Sequence, residues 1–355
     1  MLASAHEHLG GRAMGKTIEL RVDVTTEAAV DGPAELAVTI HLPAASTLPE
    51  RPVVAFGFPG GGYSRRYYAM DLPGWPAGGQ AAYHTDRGWV FVAIDHLQVG
   101  DSTLFEPDLL TMEQIARANQ AAVNHVLAKL AAGSLGDLPA VERPFTIAMG
   151  QSMGGCFLIV HQGQLRSFDA VAVLGYSAVH TAVPSRPGTP NLPMPWMVRA
   201  SLPHNPIILN PEVMEALTVV RTSADLAHAV GEQEHMWTWA FHHDDEPRDV
   251  VAQDMDALSG GPLPTWRSAT TPACAILGVA PGSVATEAAA INVPVFLGMG
   301  VQDVIVDPDR EPAAYKSSPE VVFARFPQMA HMHNFAPTRE HLWSRLHRWV
   351  EGLAG

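Results

Sequence analysis

Cysteine is scarce in this chain: its 355 residues include two, Cys156 and Cys274. That excludes a disulfide framework and makes a reducing cytoplasm the expected compartment. Charge is also scarce, at 16% of residues against a usual ~25%. Basic charge is the scarcer kind, since 22 Lys and Arg face 36 Asp and Glu, a net charge of −14. An acidic protein repels phosphate backbones, so nucleic acid is not an expected partner. No run approaches 18 consecutive apolar residues, so no membrane span is expected. The opening MLASAHEHLGGRAMGK has no apolar stretch of the kind a signal peptide carries, and residues 1–16 read as a flexible leader.

Apolar residues are plentiful, at 47%, together with 30 Gly and 29 Pro. The first figure lets the chain bury a sizeable core and excludes disorder as its main state. The second argues against a coiled coil or helical bundle. The runs TIELRVDV (17–24) and AELAVTIHL (34–42) alternate apolar and polar residues around VDGP, the pattern of an antiparallel hairpin with one wet face. By contrast, 52–58, 89–97, 145–150, 169–177 and 294–300 are almost continuously apolar, as strands buried on both faces of a parallel sheet would be. EVVFARF (320–326) is a last strand. Helical spacing falls between them at 112–132, 153–163 and 338–352, so the expected class is α/β with a mostly parallel sheet. Residues 184–290 break this rhythm with Pro-rich passages around helical stretches. They read as a cap inserted between core segments 17–183 and 291–355, over the sheet edge where such folds place their ligand crevice.

The strongest chemical signal is Gly150-Gln151-Ser152-Met153-Gly154, between an apolar strand and an apolar helix. A tight strand-to-helix turn strains the serine backbone, and the small flanking residues let the chain reverse. The hydroxyl then stands at a helix N-terminus, where developing negative charge is favoured. Upstream, Gly60-Gly61-Gly62-Tyr63 follows another strand, and consecutive glycines let backbone N–H groups approach a ligand oxygen. A serine hydroxyl needs a base, and the base an orienting carboxylate. Asp303 follows the strand 294–300, and His331 follows the strand 320–326 with room for one helix and one strand in between. Asp307 and His333 are the alternatives nearby. Position favours Asp303 and His331.

With these residues the chain resembles the α/β-hydrolase superfamily over about 50–355, the cap interrupting the match. The stretch Ile94-Asp95-His96-Leu97-Gln98-Val99-Gly100-Asp101-Ser102 resembles the loop that follows the fourth strand in many of its members. The resemblance implies the α/β-hydrolase fold, with Ser152 as nucleophile, His331 as general base and Asp303 as its acid. It also implies an oxyanion hole from the backbone N–H groups of Met153 and of Gly61 or Gly62. Pro59 stands where relatives with an HGGG loop have histidine. The expected activity is hydrolysis of a carboxylic ester, lactone and thioester included, through an acyl-enzyme. Acyl transfer with the same residues is the alternative, and a non-catalytic binding protein a more distant one. Neither cofactor nor metal is expected. Oligomeric state stays open, a homo-oligomer among the options.

The cap supplies Met194, Trp196, Met197, Met236, Trp237, Trp239 and Phe241. Most are expected in the cap's own core. Those facing the cleft, with Trp196, Trp237, Trp239 and also Tyr63 as candidates, would favour a substrate with an apolar or aromatic part. Tyr67 is a similar candidate wall. Cys156 is expected as a small buried hydrophobe behind the serine. His235 and His242-His243-Asp244-Asp245-Glu246 have metal-ligating side chains but no H-x-x-x-H spacing, so a solvated acidic turn is the expectation. Arg65 and Arg66 read as a surface pair.

Overall fold

The computed structural model describes residues 16–183, 192–193 and 237–355. Eight strands form one sheet: β1 (Lys16–Asp23), β2 (Glu35–Leu42), β3 (Val53–Phe58), β4 (Val90–Ile94), β5 (Phe145–Gln151), β6 (Ala170–Leu174), β7 (Val295–Gln302) and β8 (Val321–Ala330). Their order across the sheet is β1-β2-β4-β3-β5-β6-β7-β8. β1 pairs antiparallel with β2, and β2 antiparallel with β4, whereas every pair from β4 to β8 is parallel. This is the α/β architecture expected, with its antiparallel start. Ala182–Val183 and Leu192–Pro193 add a small separate antiparallel pair.

Why the central strands lack polar alternation is plain from their burial. Every residue of β3, β4, β5 and β6 is buried. Successive side chains point to opposite faces, and each face has its own cover. Val54 and Phe56 of β3 join an apolar cluster with α2 (Met112–Ala131) and α3 (Met153–Leu165). Val53 and Ala55 join another with α1 (Gly79–Thr85) and α6 (Arg339–Ala354), to which Leu342, Trp343, Leu346 and Val350 contribute. Each such large side chain, fully buried, stabilises the fold by ~1.5–3 kcal/mol relative to exposure. Helix α2 starts at a capping box: Thr111 Oγ1 accepts from the Gln114 N–H, and Gln114 Oε1 accepts from the Thr111 N–H.

Two expectations for the later chain shift. β8 runs past residue 326: five residues, Phe326 to Ala330, span the stretch that β7 covers with three, Gly300 to Gln302, with Gln328 at φ +52°. This bulge carries the strand end to His331. Within the stretch read as a cap, α5 (Ala285–Ala290) lies hard against α3, where a Cβ on Gly163 would sit 2.6 Å from Glu287 Cβ. Leu277, Val284 and Ala288 are part of the same buried cluster as β3. No helix among the described residues is long and apolar enough to cross a membrane.

Residues 237–271 contain the largest departure from expectation. The sequence His242 to Glu246 is a solvated turn only at its middle: Asp244 and Asp245 are exposed, but both end residues are buried. His242 Nδ1 bonds Glu246 Oε2 at 2.6 Å and its Nε2 bonds Asp254 Oδ2 at 3.0 Å. Asp254, on α4 (Arg248–Asp256), is fully buried and also accepts from Tyr63 Oη, Trp266 Nε1 and both ends of the Arg267 guanidinium. The side chains Asp254, Glu246, His242 and Arg267 thus form a compact buried charge cluster. Burial would depress His242, but its hydrogen bonds to Asp254 and Glu246 outweigh that and push it up to about 9. Burial would raise Asp254, but the hydrogen bond from His242, the charges of Arg267 and His242, and the Tyr63 hydroxyl hold it below the usual carboxylate range. Arg65 is likewise no surface residue: its guanidinium is buried and paired at 2.5 Å with the fully buried Asp95, while Arg66 stays half exposed against Asp101.

A raised histidine stabilises the fold in its charged form. The contribution is complete below an unfolded value of ~6.5 and disappears as pH rises through about 9. Urea unfolding of the wild type is therefore expected to lose about 3 kcal/mol between pH 6.5 and 9.5 from this group. His242→Gln should be less stable at pH 6.5 and lack that part of the slope. Equal slopes in the two proteins would dismiss the charged network.

Candidate functional site

β3 and β5 are neighbours in the sheet, yet the chain leaves β3 for β4 on one side and comes back to β5 on the other. That switch puts the loop after β3 beside the loop after β5, and ligands of open α/β sheets bind at such a point. The turn after β5 is Ser152, at φ +53° and ψ −118°, followed directly by α3. The flanking glycines are required sterically. A Cβ on Gly154 would overlap the Phe58 carbonyl of β3, and one on Gly150 the carbonyl of Gly154. The Ser152 N–H donates to Leu174 O at 2.8 Å, tying the turn to β6.

The ends of two other strands bring up the remaining groups. His331, after β8, has Nε2 at 2.8 Å from Ser152 Oγ. Its Nδ1 lies 2.7 Å from Oδ1 of Asp303, after β7. With Nδ1–H donating to the carboxylate, Nε2 is left as an acceptor facing the serine hydroxyl. Asp303 is buried, which by itself would raise it; the histidines around it, His331 foremost, hold it far below the usual carboxylate range. The alternative acid, Asp307, is exposed at the start of the turn Pro308–Ala314. The alternative base, His333, does not reach the serine; its Nε2 bonds the second oxygen of Asp303 at 2.9 Å.

Two further positions shape this cluster. Gly175, just past β6 at φ +60°, would place a Cβ 3.1 Å from His331 Nδ1 and 3.3 Å from each Asp303 oxygen, so any side chain there would crowd the pair. The run read as a strand through 177 conceals this turn. Gln151, inside the serine motif, donates through Nε2 to the His331 carbonyl at 3.0 Å.

The glycine loop corrects two expectations. Gly62 does not offer its N–H to a substrate oxygen, because that group donates to Thr271 Oγ1 at 2.9 Å. Tyr63 does not line a pocket: it is 1% exposed, and its hydroxyl is bound to Asp254. Tyr67 is buried to the same degree and gives its hydroxyl oxygen to the Asn334 N–H. Gly61 remains beside Met153, whose Cβ and Sδ are both within 4 Å of the Gly61 Cβ position. The loop is held from outside by residues 265–271. Ser64 N–H donates to Trp266 O, Ser268 N–H to Gly62 O, and Tyr63 forms a bridge with Arg267. Nothing in the spacing of Thr271 announces this contact.

Trp237 and Trp239 are half buried. The ring of Trp237 lies 5.3 Å from that of Phe241, which lies 5.1 Å from the His331 imidazole. Trp239 contributes its carbonyl, which accepts from Gln302 Nε2. Met194, Trp196, Met197, His235 and Met236 lie outside the described residues. Cys156 is buried, as expected. A cavity of about 240 Å³ is walled by Glu19, His41, Arg65 and Trp266, with Ser152 not among its lining residues. Among the described residues no group of three or more His, Cys, Asp or Glu side chains is placed to hold a metal ion.

No protein-family model and no curated protein matches the chain. Solved structures do. A thermophilic esterase from Thermogutta terrifontis is 14% identical, with a TM-score of 0.55 over 95% of this chain and 100% of the other. The proline iminopeptidase of Mycobacterium smegmatis is 16% identical, with a TM-score of 0.54 over 95% and 99%. A peroxisomal alpha-beta-hydrolase from Saccharomyces cerevisiae is 12% identical, with a TM-score of 0.54 over 96% and 90%. Together with the strand order and the turn at Ser152, these similarities show that the chain has the α/β-hydrolase fold.

Proposed function

We propose that the protein is a serine hydrolase that cleaves a carboxylic ester through an acyl-enzyme on Ser152. The observation that carries this reading is the continuous hydrogen-bonded line Ser152 Oγ–His331 Nε2, His331 Nδ1–Asp303 Oδ1, at 2.8 and 2.7 Å. Neighbours of the same fold that are named as an esterase and a peptidase agree with hydrolysis as the reaction class.

In this mechanism Ser152 Oγ attacks the ester carbonyl as its proton passes to His331 Nε2. The buried negative charge of Asp303 stabilises the resulting imidazolium. The oxyanion faces the N–H groups of Met153, at the start of α3, and of Gly61. Each aligned donor contributes ~3 kcal/mol to the transition state, and the α3 dipole adds to them. His331 then gives its proton to the leaving alkoxide, and the alcohol departs. Water, deprotonated by the same nitrogen, attacks the acyl-enzyme; the acyl–Oγ bond breaks, His331 returns the proton to Ser152 Oγ, and the acid is released. Phe241 and Trp237, beside His331, form an aromatic wall suited to an apolar acyl or alcohol group.

The first experiment is fluorophosphonate labelling read by intact mass. The wild type should gain one adduct, mapped to Ser152, and Ser152→Ala none. Hydrolysis of a p-nitrophenyl ester panel should drop at least ~10³-fold in the same variant. A folded wild type that takes no label would overturn the reading.

Thr271 gives a second prediction. Thr271→Val keeps the shape but removes the acceptor that holds the Gly62 N–H, freeing the loop that carries Gly61. The expected result is a kcat about tenfold lower with KM within about twofold, because the donor is needed most in the transition state. Thr271→Ser should stay near wild type. Unchanged kcat in Thr271→Val would show that the loop needs no such anchor.

A further inference from the structure

The carboxylate of Asp303 receives more than a base's orienting acid requires. Its two oxygens offer about four lone-pair positions, and four N–H groups meet them. Oδ1 accepts from His331 Nδ1 at 2.7 Å and from the Val304 N–H at 2.8 Å. Oδ2 accepts from the Gly300 N–H at 3.0 Å and lies 2.9 Å from His333 Nε2. One carboxylate therefore sits between two imidazoles, one on each oxygen.

The two imidazoles differ at their other nitrogens. His331 reaches Ser152 with its second nitrogen, whereas His333 Nδ1 is buried and meets no partner among the described residues. A buried acceptor without a partner is tolerated better than a buried N–H without one, so the tautomer with the proton on Nε2 is the one that fits. His333 is then a neutral donor to Asp303. It is also firmly mounted. It opens the short turn His333–Phe335, in which the Asn334 N–H donates to Tyr67 Oη, Asn334 Nδ2 to Tyr67 O, and Trp343 Nε1 to Asn334 Oδ1. These partners belong to the core, not to the loop that bears the acid.

We propose that His333 is a positioning residue that fixes the carboxylate plane of Asp303 from the side opposite His331. The proposal rests on the reading of Ser152, His331 and Asp303 as a catalytic triad. Backbone donors hold Asp303 along its own loop. Among the described residues His333 is the one side chain that pins Oδ2, so that Oδ1 stays directed at His331 Nδ1 and the imidazole stays directed at Ser152. Small errors in such an orientation are costly to rate.

The test compares His333→Gln with His333→Asn. The glutamine amide can reach the place of Nε2 and keep the donor. The asparagine amide takes the place of Nδ1 and leaves Oδ2 without its side-chain partner. Three quantities are measured: the rate constant of fluorophosphonate labelling at Ser152, kcat and KM on a p-nitrophenyl ester, and the melting temperature. His333→Asn is expected to lose about 10- to 100-fold in both labelling rate and kcat, with KM within about twofold. His333→Gln should recover to within a few-fold of wild type. A purely packing role would instead lower the melting temperature of both variants and leave the kcat of the folded fraction alike in the two. Equal kcat for Gln and Asn, whether near wild type or equally low, overturns the proposal. Absence of labelling in the wild type would overturn the triad reading itself, and is recognisable because it precedes any variant.

Discussion

The whole site depends on one close approach, that of the Gly154 backbone to the Phe58 carbonyl at the end of β3. That contact lets α3 begin immediately after β5, and so forces Ser152 into a left-handed conformation. For a residue with a side chain this costs about 1–3 kcal/mol. The surroundings hold it there: the Leu174 carbonyl fixes its N–H, and its own carbonyl accepts the Cys156 N–H of the first helical turn. The result is a half-buried hydroxyl over a strand end whose every other residue is buried. The same approach brings Gly61 against Met153, so one steric constraint sets both the proposed nucleophile and the proposed oxyanion donors.

The second requirement is a buried negative charge that stays charged. Asp303 is taken out of water, which favours its neutral form. The two imidazoles, His331 foremost, reverse that preference, and the directions of all four N–H groups orient it. Gly175 makes room for the arrangement by having no side chain. An uncharged or freely rotating acid would leave His331 without a fixed tautomer, so the electrostatics and the geometry here are one feature.

Strands and helices were readable because burial on two faces writes continuous apolar runs and burial on one face writes alternation. β3 to β6, α2 and α3 lie on the runs these rules pick out, although β4 and β6 each end three residues before the apolar run does. The sequence around Ser152, Asp303 and His331 was readable for a related reason: a strand end leaves a recognisable run behind it. What stayed hidden has no local pattern. Thr271 meets Gly62 across 209 residues, and Tyr63 meets Asp254 across 191. Tyr63 looked like a pocket wall because its neighbours are glycines, when its hydroxyl belongs to a distant carboxylate. Five polar residues from His242 to Glu246 looked solvated because charge is usually exposed. Pairing inside the fold, which composition does not record, puts both end members in the interior.

These hidden contacts share an origin, since nearly all arise from residues 237–271. One arm of this segment holds the turn at His331: the N–H groups of His331 and Met332 donate to the carbonyls of Ala240 and Phe241. The other arm, 265–271, holds the glycine loop. Between the arms lies the Asp254 cluster, with His242 from the first arm and Trp266 and Arg267 from the second. The loops on either side of Ser152 are therefore not positioned by the sheet alone. They are bridged above it by a single segment whose two halves are joined through buried charges. Buried charge pairs add little net stability when compared with apolar packing, but breaking one partner is costly. A cluster of that kind suits a place where relative position matters more than strength. It tolerates few alternative arrangements, and so fixes the distance between the proposed base and the proposed oxyanion donors.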